Sequence, residues 1–226
     1  MSDLTGILME RLTAAFEGGR DPVRAAGAAA YMRGQFPFLG LAAPARRSLA
    51  RTALAGLPKP AEADLREVAV ACWARDEREF QHFACDYLIA HGRIAGPGFL
   101  STVAELITTK SWWDTVDPLA TRVTGALVTR HPTLRSRMDE WSREEDMWLV
   151  RTAILHQLHY GKDTDTDRLF GYCTAQAGHP DFFVRKAIGW ALRHYARTDP
   201  EAVRAYLAEQ GGRLSPLSVR EAAKHL

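Results

Sequence analysis

The chain lacks most of the features that would assign a protein to a class at a glance. Strand signals are scarce: the 226 residues contain no alternating β-branched run and no Asn-Gly hairpin turn. No stretch approaches the roughly 18 uninterrupted apolar residues of a membrane span. The opening MSDLTGILMERL has neither the basic start nor the long apolar run of a signal peptide. The three cysteines, Cys72, Cys85 and Cys173, are odd in number and form no CxxC pair. That usage fits a reducing cytosol better than a disulfide framework, so a cytoplasmic protein is expected. No GxGxxG, Walker loop or GxSxG elbow occurs, which argues against dinucleotide, phosphoryl-transfer and serine-hydrolase chemistry. Charge of one sign is also missing. A net charge of +2 excludes a grossly basic nucleic-acid coat, although a basic face balanced by acids elsewhere remains open. With 46% hydrophobic and 25% charged residues the chain has the composition of a folded globular protein, not a disordered one.

What is present is helix. Asp21-Pro22 reads as a cap followed by proline in the first turn, opening an alanine-rich helix over 22–33 after a first helix over 2–17. The connection Gly34–Leu41 is unusually apolar, and Pro44 then opens a helix carrying Arg46, Arg47 and Arg51. Further helical patterns cover 61–75, 77–91, 97–109, 115–130, 132–142, 145–160, 165–177, 181–197, 199–210 and 215–225. Shifting the chain by 34 residues brings Asp117, Arg151 and Arg185 into register. Val116, Val150 and Val184 precede them, Ala120, Ile154 and Ile188 follow, and Asp114, Trp148 and Phe182 stand three positions before. Such a register predicts stacked helical pairs in which each unit buries its apolar face only against its neighbours. The tetratricopeptide signature is absent, and HEAT-like repeats, which tolerate degenerate sequence, fit better. One all-α domain over 1–226 is expected, a HEAT-like helical-repeat superhelix (an α-solenoid) with a concave face. Asp117, then Arg151, then Arg185 with Lys186 would recur along that face, a receptor for a phosphate-bearing ligand with a positive centre.

One stretch stands out, Lys110-Ser111-Trp112-Trp113-Asp114-Thr115-Val116-Asp117-Pro118. Trp113 and Asp117 are four residues apart and share a helical face. Asp117-Pro118 also reads as a cap and first turn, which would spend the carboxylate on backbone N–H groups; the two roles are not exclusive. Trp112 and Trp113 point about 100° apart on a helix, so one is expected to be packed (Trp112) and one exposed (Trp113). Trp141 and Trp148 read as core. Trp190 follows a helix-interior glycine, Gly189, which costs about 1 kcal/mol relative to alanine and so signals close packing or ligand approach. Arg46, Arg47, Arg51, Lys110, Arg151, Arg185, Lys186 and Arg193 form a candidate phosphate-directed set. His156 and His159 with Cys173 lack the spacing of a metal site. Asp163, Asp165 and Asp167 alternate like a calcium loop but lack its glycine and terminal glutamate, so they read as a solvated helix start. No metal and no cofactor is expected.

Four blocks in order carry a resemblance: YMRGQFPFLGL followed by PARR, KSWWDTVD, MWLVRTAILHQL, and FFVRKAIGWALRHY with TDP after it. Together they span about Tyr31 to Val203 and closely resemble the AlkD-like alkylpurine DNA glycosylases. The resemblance implies a superhelix of HEAT-like repeats whose concave cleft binds double-stranded DNA. It also implies excision of cationic N3- and N7-alkylated purines; a monomer is expected. Carried over by motif, the catalytic aspartate is Asp117 and its aromatic partners are Trp113 and Trp190. Arg151 matches the cleft arginine, and Arg193 follows Trp190 at the family's spacing. Tyr31, Arg46, Arg47, Lys110, Arg185 and Lys186 complete the expected DNA-binding set. The resemblance further implies that the lesion stays stacked, with the rings approaching its sugar from the minor groove instead of a flipped base entering a pocket. A noncatalytic helical-repeat scaffold that binds DNA or protein is the alternative.

Overall fold

A computed structural model describes residues 2–210 and 212–226. Among them there is no strand, and helices follow one another from Asp3 to the C-terminus. None is long and apolar enough to cross a membrane. The chain divides into two compact units, Met1–Thr102 and Val103–Leu226.

The first unit holds α1 (Asp3–Gly18), α2 (Pro22–Tyr31), α3 (Ala43–Leu54), α4 (Glu62–Ala74) and α5 (Arg78–His91). Leu8, Leu12 and Phe16 are the fully buried stripe of α1, which packs on α3 and α4. Phe16 meets Phe80 of α5 with ring centroids 5.3 Å apart. Asp21 caps α2 as its sequence suggests, accepting from Val23 and Arg24 N–H with Pro22 in the first turn. The apolar connection 34–41 is explained by its destination. Leu39 is fully buried, and the Glu79 carboxylate accepts three backbone N–H groups, from Leu39, Gly40 and Leu41, at 2.8–3.1 Å. The Arg78 guanidinium lies 3.8 Å from the centroid of Phe36. Gly40 has φ +88°, and a Cβ there would stand 2.1 Å from the Asp21 carbonyl oxygen, so no other residue fits.

The division between the units falls within α6 (Leu100–Thr108). The second unit continues with α7 (Trp113–Pro118), a π-helical turn (Leu119–Thr124) and α8 (Gly125–Arg130), which together run without a break. Then come α9 (Arg135–Trp141), α10 (Met147–Leu155), α11 (Thr166–Ala175), α12 (Phe182–Tyr195), α13 (Pro200–Gln210) and α14 (Pro216–Ala222). The helices that open at Trp113, Met147, Phe182 and Pro216 start 34, 35 and 34 residues apart. They stack in a row: α10 on α7 and the π turn, α12 on α10, and α14 on α12. This is the HEAT-like, α-solenoid arrangement that the register predicts. Val116, Val150 and Val184 are each fully buried, as are Ala120 and Ile188, with Ile154 2% exposed. Trp141 and Trp148 are core. Asp146, Asp165 and Asp181 cap α10, α11 and α12 through their side chains, so the alternating aspartates before α11 are a helix start. Gly189 is where α12 and α14 meet: a Cβ there would be 2.4 Å from Glu221 Cβ and 2.9 Å from the Ser218 carbonyl oxygen.

Two local expectations are corrected. The helix containing Asp117 starts at Trp113, after an extended Trp112 (φ −159°, ψ 159°), so Asp117 is not its cap and Pro118 lies inside it. Proline has no N–H and crowds the carbonyl four residues back, and the helix loosens into the π turn directly after it. The Thr121 hydroxyl donates to the Asp117 carbonyl at 2.8 Å within that loosened turn. The pattern over 145–160 likewise ends early, α10 closing at Leu155 with turns to His159.

Candidate active site

The centre of the site is an ion pair exactly one repeat long in sequence: Arg151 Nε donates to Asp117 Oδ1 at 2.7 Å, and Nη2 donates to Oδ2 at 2.9 Å. A planar guanidinium matches a carboxylate edge only in this two-pronged form, which fixes the orientation of both. The remaining terminal nitrogen, Nη1, donates to the carbonyl of Phe183 at the start of α12. Three consecutive helices of the row, α7, α10 and α12, are therefore joined through one buried arginine. Burial pushes the Asp117 carboxyl above its ordinary value, with Asp114 adding to the rise, while the Arg151 hydrogen bonds and charge oppose it.

An aromatic cluster lies around that arginine. Phe183 packs against Trp112 and Trp148 with centroids 5.1 Å from each, and Trp112 and Trp148 are 6.1 Å apart. The Arg151 guanidinium carbon is 6.0 Å from the Phe183 centroid. Trp112 is thus packed in this cluster, but Trp113 is not exposed as expected: both residues are half-buried. Its indole Nε1 is buried without a hydrogen-bond partner. Trp113 occupies the first position of α7 and Trp190 the third turn of α12, and both rings are half-buried.

The predicted cations divide into distinct environments. Arg151 is buried, and its donors go to Asp117 and Phe183. Arg185, one repeat further on, does not join them: its Nε donates to the His179 carbonyl at 2.7 Å. Lys186 and Arg193 converge on Glu221 of α14, at 3.1 and 3.0 Å, together with Lys224 at 2.7 Å. These contacts hold the Glu221 carboxyl down at about 2, the Lys224 hydrogen bond contributing most and Lys186 next. Lys110 is half-buried in the link between α6 and α7, with φ +49°, a left-handed conformation that non-glycine residues adopt rarely. In the first unit, Tyr31 is exposed at the end of α2. Arg46 and Arg47 of α3 both reach Asp86, at 2.9 and 3.3 Å, Arg46 buried and Arg47 exposed.

Sequence reasoning missed Phe183 and Glu221. The Phe183 contribution is a main-chain carbonyl, which no residue type announces. Glu221 lies outside the 34-residue register of Asp117 and Arg151, and its role depends on α14 docking at Gly189. His156, considered as a ligand, is buried with Nδ1 2.7 Å from the Ala153 carbonyl oxygen, and burial lowers it to about 4, which leaves it neutral and structural. Among the described residues, no group of three or more His, Cys, Asp or Glu side chains could hold a metal ion.

Comparison with known proteins identifies relatives of this chain. A family profile described as "DNA alkylation repair enzyme" matches residues 12–226. A solved structure described as a predicted DNA alkylation repair enzyme from Enterococcus faecalis superposes with a TM-score of 0.82 at 32% sequence identity. That match covers 92% of this chain and 96% of the other. No curated protein matches the chain.

Proposed function

The chain belongs to the DNA alkylation repair enzyme family, and on that premise we propose that it is a monofunctional glycosylase of cationic N3- and N7-alkylated purines in double-stranded DNA. The observation that carries this reading is the Asp117 carboxylate, held in a fixed orientation by Arg151 and raised by burial. A carboxyl with that combination of burial and a single charge partner is a candidate for chemistry.

Its environment suits the reaction. An alkylated purine already carries a positive charge, so it leaves without protonation by a general acid. The sugar then develops oxocarbenium character, which a fixed carboxylate stabilises electrostatically. The same carboxylate orients or deprotonates the attacking water, a contribution typically of about 10²–10⁴-fold. One acid is enough, whereas glycoside hydrolysis with a neutral leaving group normally takes two. Trp113 and Trp190 would face the cationic nucleotide, attracting it through their ring quadrupoles by about 0.5–2 kcal/mol. The lesion would remain stacked, and no pocket for a flipped base is required. Arg151 would act chiefly by orienting Asp117, and its positive charge would add to the attraction for a lesion phosphate. Lys186, Arg193, Arg185 and Lys110 in the second unit, and Tyr31, Arg46 and Arg47 in the first, are the proposed contacts to the DNA backbone. The enzyme would work as a monomer without a cofactor.

The test is to incubate the protein with duplex DNA containing 7-methylguanine and measure the free base released. Release above the spontaneous rate is expected. Tight duplex binding with no release would sink the enzyme and favour a noncatalytic DNA-binding scaffold. Running 3-methyladenine and one bulky N7 adduct in parallel reports which lesions are accepted.

A further inference from the structure

One group of cations in the second unit remains outside the site described so far. His159, in the turns after α10, and His194, in the last turn of α12, meet edge to face with ring centroids 5.6 Å apart. Arg122 of the π turn acts on His159, and Arg193 and Arg197 act on His194. Arg122, His159 and Arg197 are exposed and His194 half-buried. Arg193 is held by Glu221, which leaves Arg122, His159, His194 and Arg197 facing solvent. Three neighbouring segments of the row, the π turn, the turns after α10 and the end of α12 with the residues after it, therefore bring positive or protonatable groups together.

We propose that Arg122, His159, His194 and Arg197 form a binding site for a backbone phosphate of duplex DNA, one whose grip tightens as the pH falls. The proposal rests on the DNA-directed reading above and extends it. Three observations support it. His194 stands four residues after Trp190 on α12, so the two share a face and the cluster lies one turn along from a ring proposed to meet the lesion. Neither histidine is pulled toward its charged form by an acid: the charged groups acting on the rings are Arg122, Arg193, Arg197 and the partner histidine, with no carboxylate among them. Partial desolvation lowers both rings below their ordinary value, and these positive neighbours lower them further. The histidines are thus neutral in the free protein near pH 7. An arriving phosphate supplies the missing negative charge, favours the imidazolium forms and draws in protons on binding. His194 also lies at a helix C-terminus, where the backbone dipole favours a cation.

The experiment measures the affinity of the full chain for an undamaged duplex by fluorescence anisotropy at pH 6 and pH 8, at constant ionic strength. A proton taken up on binding steepens affinity by up to about tenfold per pH unit where it titrates. The wild type is therefore expected to bind about tenfold tighter at pH 6. A His159→Gln, His194→Gln double variant should retain about a twofold change or less. Independently, an Arg122→Gln, Arg197→Gln double variant, both at exposed positions, should reduce the slope of log affinity against log salt by about 0.9, and each single variant by less. A double histidine variant with the wild-type pH response, or arginine variants with an unchanged salt slope, overturns the site. In those cases the glycosylase reading stands if 7-methylguanine is still released. Duplex binding with the expected pH response but no base release overturns the glycosylase reading alone. No duplex binding at either pH overturns both.

Discussion

Two carboxylates in the second unit are held by arginine or lysine in opposite ways. Asp117, half-buried, faces one guanidinium across a two-pronged contact, and its carboxyl is raised. Glu221 faces three cations, Lys186, Arg193 and Lys224, and is lowered to about 2. The difference lies in the balance between desolvation and the number of counter-charges. A carboxylate surrounded by three cations is ionised at little cost, so it is a poor base and serves to fix the positions of its partners. A desolvated carboxylate with a single partner keeps its charge less easily, so developing positive charge in a reaction can relieve it. The first arrangement organises a cationic surface; the second is suited to chemistry.

The comparison can be broken most severely at Asp117. Asp117→Asn should lower the excision rate by about 10²–10⁴-fold, the usual worth of such a group, while duplex Kd changes by less than about threefold. Surviving excision would place the carboxylate outside the reaction. Next, Arg151→Ala leaves the half-buried Asp117 carboxylate and the Phe183 carbonyl without their donor, which typically costs about 1–3 kcal/mol. Urea denaturation at pH 7 should register a loss of that order together with slower excision. An unchanged midpoint would mean that the pair contributes nothing to the fold.

The pH dependence separates the two carboxylates by sign. Excision that needs ionised Asp117 should fall on the acid side at a pH above the ordinary aspartate value of about 3.9, because its carboxyl is raised. The stability contributions run in opposite directions. That of Asp117 is fully present below its unfolded value and is lost as the pH rises through the raised folded one. That of Glu221 is present above about 4.3 and is lost as the pH falls toward about 2. The smallest expected effect is on binding. Glu221→Gln removes the shared counter-charge of Lys186, Arg193 and Lys224, and should tighten duplex binding at low salt by about threefold, a gain screened at higher ionic strength. Weaker binding would show that Glu221 matters more for placing those cations than for neutralising them.

The two carboxylates were unequally legible in the sequence, for physical reasons. The repeat row could be read because its core obeys one period: Val116, Val150 and Val184, and beside them Ala120, Ile154 and Ile188, recur at 34 residues and are buried. The same period brought Asp117 and Arg151 together on paper, and they meet in the fold. At the next position of the period Arg185 does not join that pair, its Nε turning to the His179 carbonyl. A long flexible side chain at an equivalent position follows its nearest acceptor, not the register. Asp117-Pro118 looked like a cap because that dipeptide usually is one; here the preceding turn from Trp113 is buried through Thr115 and Val116, and tertiary packing overrides the proline by loosening the helix into a π turn. Glu221 was unreadable because two of its three partners, Lys186 and Arg193, come from another helix through an approach that only Gly189 permits. The division into two compact units likewise left no mark in composition.

The most direct test sets the two carboxylates side by side: single-turnover release of 7-methylguanine from duplex DNA, with saturating protein, by wild type, Asp117→Asn and Glu221→Gln, and duplex Kd measured for each. The account predicts that Asp117→Asn loses the rate and keeps the affinity, whereas Glu221→Gln keeps the rate and changes the affinity. Equal release by wild type and Asp117→Asn would contradict it.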